Sequence, residues 1–562
     1  MRSADSCPES EARSPKSARA LWLGPVAGAG IPFAVYLITS ARHVLDGDAA
    51  AFAAQAHNLG LVHPPGYAVM GLLGKLVTSV ARFGPPAWRA NLVGVVAGTA
   101  ALAFAYALVR RWSRDLVRNA ECGVRSEIGN RKSEIANPVA PAVLATWLLA
   151  FSPLFWSQSL YINPYTPALA LTLGVLLLLD LWSRPGEPPA GWEPAGGLSG
   201  GRGSPRLLAA AGLLCGLGMN AHPSFVLGFP AIALYVLVRL RGEPWRQWGQ
   251  SVAAGLAGLA AGCLVWLAYT FHYLEGSSVG ELGARFATLM TAEGSGSDWR
   301  SFFRGIASPG YPAQLVLHAT RTLAEFSPVG LALFALGAVA IARRRRWDIL
   351  LLVGLMYLAQ MNFAATLRHW HHYDVYRLPC FGLQALVMGV GLAWVWARLR
   401  GAGVRALALA GVAVLVLGPP YAAAALVREE SGGPLRYIRP KAPWRAGFAR
   451  NAHSDGLAVL AQVPAKSTIV SNYGAYATLR YLQKVEGAGH EGVWLVGGFG
   501  EEASELRRLC EAREPGERVY VYLQRAEARQ RAWLAERFEL RPVHDGALHL
   551  LYEAASRNHG LR

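Results

Sequence analysis

A chain of 562 residues that is 53% hydrophobic and only 16% charged falls short of the roughly 25% charged content of soluble domains, which excludes a wholly soluble enzyme. The formal net charge of +18 raises nucleic acid as a partner, but no basic face or binding motif accompanies it, so none is expected. Much of the excess arginine lies in short loops between apolar runs, which is the distribution of a membrane-topology signal. Six cysteines (Cys7, Cys122, Cys215, Cys263, Cys380 and Cys510) are scattered singly with no CxxC pair, so no disulfide framework is expected.

Apolar runs of spanning length, for which roughly 20 residues suffice, are read at 20–40, 90–109, 138–155, 166–183, 206–220, 224–240, 251–272, 327–342, 347–362, 378–397 and 405–427. The first lacks an A-x-A site and reads as a signal anchor. With Arg13, Lys16 and Arg19 in a cytoplasmic tail of residues 1–19, the connections Arg110 to Lys132, Arg184 to Arg206, Arg239 to Arg246, Arg343–Arg346 and Arg398 to Arg405 also fall in the cytoplasm. All are basic, as the positive-inside rule requires. The outer segments are then 41–89, 156–165, 221–223, 273–326, 363–377 and 428–562.

Two of these carry amphipathic stretches. Residues 68–83 read as an interfacial or re-entrant helix, and a similar candidate lies near Arg300 to Ala307. The interior of the spans is read as nearly free of acids, with Asp180 close to a cytoplasmic end. The tail alternates short strands (Thr468–Ser471, Val493–Val496, Val519–Leu523) with helices (Tyr473–Val485, Glu501–Arg513), followed by a helix and strand pair over 524–553. This predicts a small α/β domain without a nucleotide-binding loop.

Polar residues of chemical interest gather on the outer side. Asp46-Gly47-Asp48 follows the first span, with His57 and His63-Pro64-Pro65-Gly66-Tyr67 after it. An acid there suits a general base, and an Asp-Gly turn at a helix end accounts for it equally well. Phe155 to Tyr165, with Trp156 and Gln158, reads as an interfacial aromatic belt. Asn220-Ala221-His222 ends a tight helix pair, where the histidine either meets a ligand or closes a helix end. In Arg368 to Arg377, the paired His371 and His372 with Asp374 do not suit a tetrahedral metal, whereas Arg368 and Arg377 suit a phosphate.

The run from Asp48 through His57 to His63-Pro64-Pro65-Gly66-Tyr67 resembles the signature of the domain of unknown function 2723 family. Arg89-Ala-Asn91-Leu, Phe151-Ser-Pro-Leu-Phe-Trp156-Ser-Gln158-Ser, Gly216 to Asn220-Ala-His222 and Tyr373 to Arg377 are similar to its later motifs. Ala51 stands where that family has Glu, and Asn163-Pro164-Tyr165 where it has Glu-Val-Tyr. The family resembles a branch of the GT-C membrane glycosyltransferases related to protein O-mannosyltransferases.

The apolar runs predict a polytopic α-helical membrane protein of about 11 transmembrane helices with an extracytoplasmic α/β domain at 428–562, and the resemblance implies that residues 20–427 are GT-C-like. The resemblance also implies a polyprenyl-phosphate sugar donor, an acceptor hydroxyl on protein, glycan or lipid, and the lipid bilayer as surroundings. Asp48 is the implied base, with Asp46 in reserve. His57, His63, Tyr67, Arg89, Asn91, Trp156, Gln158, Tyr165, Asn220, His222, Arg368, His372, Asp374 and Arg377 are the candidate substrate contacts. Neither a metal nor another cofactor is expected, and the site is a bacterial plasma membrane. The rival readings are a flippase for lipid-linked sugars and an inactive membrane scaffold.

Overall fold

The computed structural model describes residues 23–62, 66–125, 139–184, 204–274, 280–281, 284, 306–366, 373–399, 401–426, 451–490, 492–497, 503–512, 517–524, 528–546 and 549–556. The chain starts with an apolar helix, α1 (Leu23–Thr39). Two shorter helices follow in the first outer segment, α2 (Asp48–Asn58) and α3 (Ala68–Val80). The bundle continues with α4 (Pro86–Arg125), α5 (Val139–Ala150), a short α6 (Pro153–Gln158), α7 (Tyr165–Ser183), α8 (Pro205–Ala221) and α9 (Phe229–Leu240). It closes with α10 (Trp245–Tyr273), α11 (Tyr311–Arg343), α12 (Trp347–Thr366), α13 (Leu378–Trp396) and α14 (Ala402–Leu426).

Among the described residues seven helices are long and apolar enough to cross a membrane. Shorter apolar helices stand at Leu23–Thr39, Ala68–Val80, Val139–Ala150 and Gly403–Gly418. Three of those positions were read as spans and the second as an interfacial helix. The chain is a multi-pass α-helical membrane protein.

Small residues let its helices approach closely. A Cβ on Gly216 would meet the Gly262 Cα at 2.8 Å, so α8 and α10 cross backbone to backbone, the packing that substitutes for hydrophobic drive inside a membrane. Ionic contacts hold one end of the bundle. Arg111 Nε donates to Asp180 Oδ2 at 2.5 Å, and Arg184 and the Trp112 indole share Asp180 Oδ1. Arg239 and Arg346 pair with Asp348 at 2.6 and 3.0 Å. Buried charges survive in such surroundings only when paired and hydrogen-bonded in this way.

The sequence reading starts this span at residue 327, whereas α11 begins at Tyr311 and reaches Arg343 as two helical segments joined by a kink at Ser327. Ser327 adopts φ 58° and ψ 172°, which turns the chain at the residue before the proline and lets helix resume beyond it. As a result Glu325, 8% exposed, lies inside a spanning helix, where it accepts a hydrogen bond from the Leu154 amide at 3.1 Å. The membrane interior is thus less free of acids than expected. The amphipathic candidate at Arg300 to Ala307 falls almost wholly outside the described residues.

The C-terminal part contains α15 (Asn451–Gln462), β1 (Ser467–Ser471), α16 (Tyr473–Val485), β2 (Trp494–Gly497), α17 (Ala503–Ala512), β3 (Arg518–Gln524), α18 (Ala528–Arg537), β4 (Phe538–Asp545) and β5 (His549–Ser556). Its sheet has the order β2-β1-β3-β5-β4. The first three strands are parallel, and β5 runs antiparallel between β3 and β4. Alternation along the strands sorts the helices. Ile469, Tyr520 and Tyr522 share a core with α16, whereas Val470, Val519 and Val521 pack with Leu506 and Cys510 of α17 and Leu534 of α18. The first of those cores also includes Phe52, Ala53 and Ala56 of α2 and Met70 of α3. The sheet domain therefore shares a hydrophobic core with the first outer segment.

Candidate active site

The backbone around the two candidate acids requires glycine. Gly47 sits at φ 71° and ψ −141°, a region open almost only to a residue without Cβ. Its carbonyl accepts from the Ala50 and Ala51 amides and so starts α2. Asp48 is then the first residue of that helix, where the positive end of the helix dipole favours a carboxylate.

Asp48 lies within electrostatic reach of aromatic side chains drawn from distant parts of the chain. Its charge reaches the phenols of Tyr161, Tyr165, Tyr376 and Tyr473. Tyr165 and Tyr376 meet edge to face at 5.5 Å and hydrogen-bond through their phenols. The His222 ring lies 5.2 Å from Tyr165 and 5.4 Å from Tyr376. Burial pushes the Tyr161 phenol up to about 12, with the Asp48 charge adding to it and a hydrogen bond to Gln158 opposing it. Tyr161, Tyr376 and Tyr473 were not among the sequence candidates.

His222 Nδ1 accepts from the Ser224 amide at 3.2 Å and contacts the Ser224 hydroxyl at 2.7 Å. An accepting Nδ1 leaves the proton of a neutral ring on Nε2. Arg377 follows Tyr376 directly and is 4% exposed. It stands at the residue before α13 without a side-chain capping bond, and its charge extends to His318 of α11. His318 in turn bonds Tyr357, which also accepts from Gln384. A buried polar column thus runs from the aromatic cluster into the bundle. His318 and Glu325 are not among the sequence candidates because residues 311–326 read as a loop, and Tyr357 is not because it sits inside the apolar run 347–362.

Several other residues named from the sequence are tied to neighbours within the protein. Asn91 donates to the carbonyls of Ala41 and His43 and accepts from the Ile162 amide. Asn163 donates to the Gln158 and Tyr161 carbonyls and accepts from the Tyr165 and Thr166 amides. It thereby closes the turn that presents Tyr161 and Tyr165. Trp156 donates to Thr39 and Asn220 to the Gly216 carbonyl. His57 bonds the Pro86 carbonyl at 2.9 Å. Burial lowers its pKa despite that bond, and the Arg89 and Lys75 charges add to the effect. Tyr67 takes a left-handed conformation before α3 and packs edge-on to Phe52. Arg89 is half-buried near His57. His63, Arg368 and His372 lie outside the described residues, as does the side chain of Asp374.

Asp46 turns the other way, toward the sheet domain. Burial pushes its carboxyl up, but His549, the Gly47 amide and the Thr478 hydroxyl together outweigh this and hold it below the ordinary value. Asp48 and Asp46 thus point to different chemistry: one lies within reach of the aromatic cluster, the other faces an interface between domains.

Residues 48–245 match the family model described as the N-terminal domain of protein O-mannosyl-transferase TMEM260. The chain is similar to protein O-mannosyl-transferase TMEM260 of Mus musculus, 27% identical over 210 residues, which are 37% of this chain and 25% of the mouse protein. It is also similar to protein O-mannosyl-transferase tmem260 of Dictyostelium discoideum, 25% identical over 150 residues, 26% of this chain and 15% of that protein. The alignments span a quarter or less of those relatives' length. Among solved structures, ArnT from Cupriavidus metallidurans bound to undecaprenyl phosphate aligns at a TM-score of 0.49 and 14% identity, covering 95% of this chain and 98% of that one. The apo state of ArnT aligns at 0.48 and 14%, covering 96% and 98%.

Proposed function

We propose that this protein is a GT-C-type membrane glycosyltransferase. It moves a sugar, mannose being the first candidate, from a polyprenyl-phosphate donor to an acceptor hydroxyl outside the cytoplasm. The observation that carries the reading is the convergence of Asp48, Tyr165, His222 and Tyr376, with Arg377 adjoining, at one end of the bundle. Likeness to O-mannosyl-transferases over a stretch that begins at Asp48 supports it. The narrower kinship with the domain of unknown function 2723 family belongs to the same reading, as does residence in a bacterial plasma membrane with the basic loops in the cytoplasm.

In the reaction, the acceptor oxygen forms a bond to the anomeric carbon while the bond from that carbon to the phosphate oxygen breaks. The electron pair leaves with polyprenyl phosphate, and Asp48 takes the acceptor proton. A positioned base of this kind contributes about 10²–10⁴-fold. The departing phosphate is already a stable anion, so no general acid is required, and Arg377 offsets its charge. The same reasoning makes a divalent metal unnecessary. Asp48→Asn is expected to lower transfer from a polyprenyl-phosphate sugar by that factor in membranes while the protein still folds; full activity in this variant would end the assignment.

A second reading draws on Glu325 and His318, ionisable groups inside a kinked spanning helix of the kind transporters use. Purified protein in detergent, where there are no compartments, separates the two: a transferase still links sugar to acceptor there, and a flippase does not.

A further inference from the structure

The sheet domain reaches the residue two positions before the candidate base through a side chain at the opposite end of the sequence. Asp46 is separated from Asp48 by Gly47 alone. Its Oδ1 accepts from the Gly47 amide at 2.9 Å and from the Thr478 hydroxyl of α16 at 3.2 Å. Its Oδ2 lies 3.5 Å from His549 Nε2. His549 is wholly buried at the first position of β5, opposite Gln524 at the end of β3. Its ring stacks on Tyr522 at 4.8 Å, and its amide donates to Asp455 Oδ2 at 3.2 Å. Packing on one side and a main-chain bond on the other thus fix the imidazole, and its Nε2 edge faces Asp46.

The winding of the sheet explains why this contact lies where it does. The chain passes from β1 through α16 to β2 on one side, then through α17 on the other face to β3 on the far side of β1. Sheets wound so take ligands in the crevice outside the carboxyl ends of the two strands where the order reverses. Those strands here are β1 and β3, and next to the end of β3 the chain's own Asp46 is held by His549 and Thr478.

We propose that His549, assisted by Thr478, is a positioning residue for the transfer reaction. It clamps Asp46, and the short Gly47 link passes that restraint to Asp48, so the sheet domain is a working part of the active site. This rests on the reading of Asp48 as the base.

The test uses the full-length protein with a polyprenyl-phosphate sugar and an acceptor. His549→Leu keeps bulk against Tyr522 but removes the contact to Asp46, whereas His549→Gln keeps an N–H donor. A base displaced by about 1 Å costs on the order of 10²-fold, so His549→Leu is expected to lower kcat by that factor. Because neither His549 nor Asp46 is assigned a contact with the donor in the proposed reaction, the donor KM is expected to stay within about twofold. His549→Gln is expected to recover most of the rate. Hydrogen exchange of residues 48–58 is expected to quicken in His549→Leu and to stay near the native rate in His549→Gln.

If His549→Leu does not fold, Thr478→Val carries the test, with an expected loss of about fivefold in kcat for one hydrogen bond. Native kcat in His549→Leu, equal impairment in both His549 variants, or a loss confined to KM overturns the positioning role. Absence of transfer by the wild-type protein overturns the reading of Asp48 instead. Exchange over 48–58 then still decides the clamp, which unchanged protection in His549→Leu would refute.

Discussion

Asn91→Ala separates a structural amide from a ligand contact. Asn91 is 2% exposed and carries three main-chain bonds: to Ala41 O at 3.0 Å, to His43 O at 3.3 Å and from the Ile162 amide at 3.1 Å. Truncation leaves the Ile162 amide and the Ala41 carbonyl buried without this partner, and each such group costs about 1–3 kcal/mol. The longer bond to His43 is only part-buried and adds little. The expected loss is therefore about 3 kcal/mol, which at ~2 °C per kcal/mol for a large chain lowers the thermal midpoint by about 6 °C. Asn91→Asp keeps the acceptor for Ile162 but sets a carboxylate against two carbonyls, so it is expected to be at least as damaging. Thermal unfolding in detergent, read beside donor titration, checks this. A native melting point combined with a raised donor KM would refute the reasoning and return Asn91 to the substrate contacts.

Asp180→Asn is expected to cost about 3–5 kcal/mol, because it leaves the 4%-exposed Arg111 without its counter-charge; replacing both residues by leucine is expected to cost less, as thermal unfolding of the single and double variants would reveal. His57 supplies a pH dependence. Its folded pKa lies below the ordinary 6.5, so its contribution is fully present above that value and is lost as pH falls through the folded one. The thermal midpoint is expected to fall on acidification from about pH 6.5, and less steeply in His57→Gln, as melting curves across that range would detect.

What was legible in the sequence was local. The helix Tyr473–Val485 matches its sequence reading because Asn472 caps it, accepting from the Ala475 amide, and because its apolar face repeats at helical spacing. The sequence boundary at residue 327 falls on the kink of α11, where Ser327 leaves helical geometry before Pro328; the helical stretch ahead of it, from Tyr311, lies in what the sequence reads as an outer loop. The site was legible in part. Asp48, Tyr165, His222 and Arg377 were singled out by residue type and by motif. Tyr376 lay inside a recognised run but was passed over, since nothing in a single sequence says which of two neighbouring tyrosines turns inward. Thr478 is 432 residues from its partner Asp46, and no spacing rule reaches that far. Asn91 shows the converse, for a motif marks a side chain as constrained without saying whether a ligand or the main chain constrains it.

The two ends of the bundle bear on which molecule the site can serve. Asn91 and Arg111 lie on one helix, α4. Twenty residues at 1.5 Å rise separate them by roughly 30 Å, which matches the thickness of a hydrocarbon core. Arg111 belongs to the ionic cluster around Asp180, and Asn91 is tied to Ala41 and Ile162, close in sequence to Asp48 and Tyr161. The aromatic cluster and the basic end therefore stand about one membrane apart. A lipid-linked sugar whose headgroup lies at the interface can meet Asp48 there without crossing the bilayer, as transfer requires. A flippase would instead have to carry that headgroup past Glu325 and His318 to the basic end. The polar column stops short of this: between Glu325 and Arg343 the buried side chains of α11 are Phe326, Ser327, Leu333, Ala340 and Ile341 beside two glycines, and no ionisable group is among them. Along α11, therefore, no buried ionisable group beyond Glu325 is available to a phosphate, which accords with the proposed transfer at the outer end.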